Sequence, residues 1–167
     1  MADHLPPPPG MPPGALKEQA RKLLFRVHYR NASVKAAQGD EAGARQNRTF
    51  ALAYVDENSE CETVTKAAEL LRSLGERDRG RAEAERALRL PGSPRTHSFA
   101  HHTLGECAWD DAEDVRAHGL DVVRPYLESA KRHYQAARDA WPGEDAASAQ
   151  RISRINAMLD GRVTYDA

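Results

Sequence analysis

Bulky side chains are scarce in this chain. Of its 167 residues 40% are apolar but only 6% aromatic, and mean hydropathy is -0.72, so much of the apolar share is alanine. That excludes a core of large rings and suits thin, closely spaced layers of helices. No apolar run approaches the ~20 residues of a membrane-spanning helix, and no charged segment followed by an apolar core marks a secretory signal. The expectation is a soluble cytoplasmic protein with no membrane partner. Two cysteines, Cys61 and Cys107, are too few for a disulfide framework, and no CxxC pairing points to structural zinc. Both read as ordinary reduced thiols.

Catalytic signatures are missing as well. The chain contains no Gly-rich phosphate loop, GxSxG elbow or HExxH helix, and no nucleophile stands beside an identifiable base. No reaction is assigned, the expected class is non-enzymatic, and no cofactor is implied. The net charge of -1 gives no general pull toward nucleic acid. Charge is uneven all the same: residues 1 to 55 carry a net +4, from eight Lys or Arg against four Asp or Glu, whereas residues 101 to 123 carry a net -5.

Regular alternation of apolar and polar β-branched residues is absent too, so no strands are expected. Residues 1–14, MADHLPPPPGMPPG, hold six of the ten prolines, cannot form a helix or a sheet ladder, and read as a disordered arm with PxxP spacing. From Ala15 onward the chain reads as helix after helix. The first runs from Ala15 to about Gln38 with Leu16, Ala20, Leu23, Val27, Val34 and Ala37 as its apolar face, and breaks at Gly39-Asp40. The second reaches Tyr54, the third spans Glu60 to Leu74, and the fourth ends at Leu90 before PGSP. The fifth starts near Arg95 and extends as far as Ala117, with Gly119 as the bend before the sixth. Leu120, Val123, Leu127, Ala130, Tyr134, Ala137 and Trp141 give the sixth the cleanest stripe in the chain. Pro142-Gly143 closes it, and a seventh helix offers Ala149, Ile152, Ile155 and Leu159 on one face.

An internal repeat runs through this pattern. Gly39, Arg45, Ala51 and Leu52 lie 36 residues before Gly75, Arg81, Ala87 and Leu88, and Ala44 falls against Gly80. Repeats of 20 to 50 residues announce a solenoid. Ala130, Tyr134, Ala137 and Pro142 carry the A-x3-aromatic-x2-A-x4-P spacing of a second helix, and Leu104-Gly105 with His101 and Ala108 fill the slots of a first helix. On these residues the chain resembles the tetratricopeptide repeat (TPR) family, built of helix-turn-helix units of 34 residues.

The resemblance implies an all-α, antiparallel helix-turn-helix superhelix of about seven helices over 15–160, with repeats at about 25–58, 61–94 and 98–144, a capping helix at 144–160 and a tail at 161–167. Ala32 and Ala68 take the small first-helix slot and Ala51 and Ala87 the later small slot. Two departures stand out. Repeat one has His28, Asn31 and Lys35 where the family prefers large apolar residues, and repeat three carries extra residues between Gly105 and Ala130 that lengthen both helices or add a loop near Gly119.

By the same resemblance the first helices line a concave face that receives a protein or peptide partner. Its expected residues are Arg26, Tyr29, Arg30 and Ser33, then Glu62, Thr65, Lys66 and Glu69, then His102 and Glu106. Tyr29 and Ser33 stand where some members begin a Lys and Asn clamp for a terminal carboxylate, so that clamp is not expected. A dedicated chaperone for a secreted bacterial protein is the narrower alternative, and self-association a structural one. A third alternative is metal binding by His97 and His101, one helical turn apart but lacking an identified third ligand. The acids of WDDAED lack the loop spacing of a calcium hand and read as a solvated face.

Overall fold

The computed structural model describes residues 15–143 and 146–162. The expected arm at 1–14 and most of the expected tail, from 163 onward, lie outside the described residues. Those described are all-α: seven α-helices and one 3-10 turn, with no strand among them. The helices are α1 (Ala15–Ala37), α2 (Glu41–Leu52), α3 (Cys61–Ser73), α4 (Arg77–Arg89), α5 (Pro94–Asp114), α6 (Leu120–Ala140) and α7 (Ala146–Leu159). Among the described residues no helix is long and apolar enough to cross a membrane. The chain divides after Asn58 into two compact units.

The first unit is the α1–α2 hairpin. Gly39, at φ +75°, lets the chain leave α1 in the left-handed region, where the Asp40 amide donates to Lys35 O at 2.9 Å and the Gly39 amide to Ala36 O at 3.0 Å. Asp40 then caps α2 by accepting from the Gly43 amide at 2.8 Å, a bond that holds its carboxyl below the usual range. The face that α1 buries differs from the expected one. Phe25 and Ala32 are buried, whereas Leu23, Val27 and Val34 are exposed. Polar neighbours make this choice tolerable. Arg21 pairs with Asp56, and His28 meets Asn47 Oδ1 at 3.2 Å while lying over Tyr54 with ring centroids 5.8 Å apart. A periodicity count on α1 ranked aliphatic spacing above a single large ring whose polar neighbours find partners.

The second unit holds α3 to α7. Gly75 ends α3 as Gly39 ends α1: φ is +85°, and the Glu76 amide donates to Leu71 O at 2.9 Å. Helix α3 packs on α4 and also on α5, while α5 packs on α4 and α6, and α6 on α7. Small residues set the spacing. A methyl group on Gly80 would lie 3.0 Å from the Ala68 carbonyl oxygen, so α3 and α4 approach backbone to backbone. Next along the chain, a methyl on Gly105 would lie 2.7 Å from the ring of Tyr134, which is fully buried beside Ala130.

Ser93 caps α5 by accepting from the Thr96 amide at 3.1 Å, with Pro94 in the first turn. The extra residues of the third pair lengthen both of its helices: α5 and α6 have 21 residues each, against 13 for α3 and α4. Only Val115, the turn Arg116–His118 and Gly119 separate them. Val123, Leu127, Ala130, Tyr134 and Ala137 form the buried stripe of α6 as expected, with Leu120 and Trp141 half-buried at its ends. On α7 the buried residues are Ser148, Ile155 and Met158, while Ile152 and Leu159 pack at the edge. The buried face is thus rotated slightly from the aliphatic count, because Ser148 is drawn in by a hydrogen bond from α5.

Candidate functional site

Four helices of the second unit converge on the carboxylate of Glu106, in the middle of α5. Tyr134 Oη on α6 donates to Oε1 at 2.7 Å. Arg151 on α7 donates through Nε to Oε1 at 2.8 Å and through Nη2 to Oε2 at 3.0 Å. Arg72 on α3 lies 3.0 Å from Oε2 through Nη2, and also binds Asp110, one turn farther along α5, at 2.7 and 2.9 Å. The forked guanidinium fits such two-point pairing where a lysine would not.

Glu106 is buried and Arg72 and Arg151 partly so, which makes the cluster electrostatically consequential. Burial pushes the Glu106 carboxyl up, but the Tyr134 hydroxyl, Arg151 and Arg72 outweigh it and hold the group below its ordinary value. The Tyr134 hydroxyl is pushed far up by burial and by its bond to that carboxylate. At neutral pH the pair is therefore a phenol donating to a carboxylate.

His102 and Ser148 extend this cluster. His102 Nδ1 is 2.9 Å from Ser148 Oγ, and Nε2 is 3.8 Å from Glu106 Oε1. Serine, histidine and carboxylate in that order suggest a nucleophile with its base. However, Ser148 is fully buried, so its oxygen cannot meet a substrate, and Glu106 already serves three stronger partners. The bond instead draws α7 onto α5.

Three further histidines, His97, His101 and His133, lie close enough to influence one another's charge. His97 Nε2 meets Leu90 O at 3.1 Å, and His101 Nδ1 is buried without a hydrogen-bond partner. Burial, then His97, lowers the His101 imidazole; burial, then His101, lowers His133. Among the described residues no three His, Cys, Asp or Glu side chains come together to hold a metal ion. Cys61 and Cys107 are buried thiols pushed up by burial, and Cys61 Sγ donates to Ala87 O at 3.2 Å.

Asp110 and Asp111 of WDDAED are largely covered, which corrects the reading of this segment as a solvated face; Asp114 at its end is exposed. Asp111 bridges Arg77 at 2.7 Å and Arg81 at 2.6 Å, Asp114 binds Arg77 at 2.6 Å, and Asp110 binds Arg72. They fasten α5 to α3 and α4. Arginines 30 to 40 residues earlier, from helices that read as amphipathic in isolation, neutralise the local charge excess.

The ten expected partner-binding residues fall into two groups. In the first unit Arg26 and Arg30 are exposed, Tyr29 stacks on Phe25 with centroids 6.0 Å apart, and Ser33 Oγ donates to Tyr29 O at 3.3 Å. In the second unit Glu62 and Glu69 are exposed, and Lys66 binds Glu62 at 2.6 Å. Thr65 is buried and donates to Cys61 O at 2.8 Å. His102 and Glu106 belong to the cluster around the buried carboxylate.

Sequence reading missed Arg72, Arg151 and the hydroxyl of Tyr134, since isolated arginines carry no periodic signal. It also missed the stacking of Arg151 and Arg154 on Trp109, at 4.7 and 5.2 Å from the ring centroid. A buried Glu one residue after a close-packed glycine, in a helix otherwise lined by small and apolar residues, was the available hint. No protein-family model, no curated protein and no solved structure matches this chain.

Proposed function

We propose that the second unit is a TPR-like binding module that takes a protein or peptide segment along the side formed by α3, α5 and α7. The observation that supports this reading most is the recurrence of one crossing in successive hairpins. Ala68 of α3 meets Gly80 of α4, and Gly105 of α5 meets Tyr134 beside Ala130 of α6, while α3 also packs directly on α5. First helices that pack on one another as well as on their own partners build a stacked repeat with a shared surface.

On that surface Glu62, Lys66 and Glu69 precede His102, and Arg154 over Trp109 continues it on α7. The Glu106 cluster beneath fixes the spacing of these helices before a partner arrives, which reduces the ordering cost of binding. The role is non-enzymatic and its setting the cytoplasm.

A photo-crosslinking amino acid placed at Glu69 on α3, and separately at Glu85 on α4, tests the reading in cells. Both positions are exposed. The expected result is a discrete cross-linked protein from position 69 and none from 85. The same products from both positions, or none from 69, would overturn it.

A further inference from the structure

Helix α1 has two apolar faces, and the first unit buries only one. Phe25 and Ala32, seven residues apart, are buried. Leu23, Val27 and Val34 also recur at helical spacing but lie about 200° around the axis from Phe25 and Ala32, at ~100° per residue. They are 62%, 43% and 45% exposed, with neighbouring Leu24 at 39%. Among the described residues no other helix of this chain of low mean hydropathy exposes four large aliphatics on one side.

The charge around this face identifies what fits it. Helix α1 carries six cations against one acid, Glu18, which lies toward the opposite side. Arg21, Lys22 and Lys35 pair with Asp56, Glu18 and Asp40, whereas Arg26 and Arg30 lie beside the apolar stripe with no acid of the helix near them. Arg30 is exposed and falls within the stripe, between Val27 and Val34. We propose that this face docks an amphipathic helix of a partner protein, apolar along its centre and acidic at its flanks, with one carboxylate placed to meet Arg30.

Two other occupants fit less well. A second copy of α1 would bring the same cations to the same face, opposing like charges. An anionic lipid surface would satisfy the cations, but it would draw the guanidinium of Arg30 into the acyl boundary along with the two valines that flank it. A helix can set a carboxylate at that one position. This surface belongs to the first unit alone, and the proposal does not depend on the function proposed for the second.

The test uses the full chain and a displayed library of helical peptides. Its apolar stripe is fixed and its flanks vary among Asp, Glu, Lys, Arg and Ser. Selected peptides are expected to be enriched in Asp and Glu, and to bind about tenfold or more weakly to the variant Leu23→Ser with Val27→Ser. Because both side chains face solvent, circular dichroism of that variant should match the parent. Arg30→Glu is expected to shift the selected flanks toward Lys and Arg. Flanks without charge preference, or binding unchanged in the serine variant, would overturn the proposal. So would stronger binding to vesicles of equal parts phosphatidylcholine and phosphatidylserine than to any peptide, or a dimer in sedimentation that Val27→Ser dissolves.

Discussion

Tyr134 and Glu106, 28 positions apart in sequence, share a buried hydrogen bond of 2.7 Å that ties α6 to α5 beneath the arginines of α3 and α7. Removing the hydroxyl with Tyr134→Phe leaves the ring packed on Gly105 but takes one donor from the carboxylate. A charge-assisted bond of this kind contributes about 1.5 to 3 kcal/mol. Urea denaturation should show a loss in that range with an unchanged m-value.

Glu106→Ala should cost more than Tyr134→Phe. It strands the Arg151 guanidinium and the Tyr134 hydroxyl together, whereas Arg72 keeps Asp110. Breaking a fully buried pair costs about 3 to 5 kcal/mol, and the partial exposure of both arginines reduces this to about 2 to 4. The same cluster sets a pH signature. Because the Glu106 value is lowered in the folded state, its contribution is complete above the ordinary Glu value of about 4.3. It is lost as pH falls through the folded value. The stability gap between the parent and Glu106→Gln should therefore narrow in acid and be constant from about pH 5 upward.

Histidine contributes a second, higher window. His101 and His133 have folded values below the ordinary ~6.5, so the unfolded chain binds more protons near that pH. Stability is complete above about pH 6.5 and falls as the pH drops below it. Replacing His101, whose Nδ1 is buried without a partner, by Leu should flatten this decline. Thermal melts between about pH 7.5 and 5 would measure the slope. An undiminished slope in the variant would place the effect elsewhere.

Close packing predicts a third contrast. Gly105→Ala forces the Tyr134 ring aside, and Ala137→Leu overfills a fully buried slot. Each should destabilise by about 1 to 3 kcal/mol. Ala136→Leu, on a half-buried position off the stripe, should cost less. Equal melting temperatures for the two alanine variants would show that Ala137 is not a contact point between helices.

The ion pairs of Asp111 predict a salt effect. Asp111 and the arginines it bridges, Arg77 and Arg81, are about a quarter to a third exposed. Asp111→Asn should therefore cost only about 1 kcal/mol at low salt, and less at about 1 M sodium chloride. A penalty unaffected by salt would mean that the carboxylate matters for packing rather than for charge.

Helix number, type and most boundaries were legible because caps and breakers act locally: Gly39, Gly75, Ser93-Pro94 and Pro142 each stop or start a helix within a residue or two of expectation. The buried stripe of α6 was legible for a related reason, since one period accounts for all of it. Helix α1 was not, because it carries two stripes and which one is buried depends on α2. The Glu106 cluster lay beyond sequence reading for a different cause. Its members come from four helices, and only the crossing of those helices brings Arg72, Tyr134 and Arg151 to one carboxylate.

The helix pairs that carry the packing of the second unit are all one or two steps apart along the chain. Bringing such neighbours together closes only short loops, so little chain entropy is lost before contacts form. Assembly can then proceed in the order of synthesis. The α3–α4 hairpin is ready to receive α5 as soon as α5 is made, and Arg151, near the end of the described chain, completes the charge cluster last. The charge cluster around Glu106 is therefore complete only once α7, the last of the described helices, has packed.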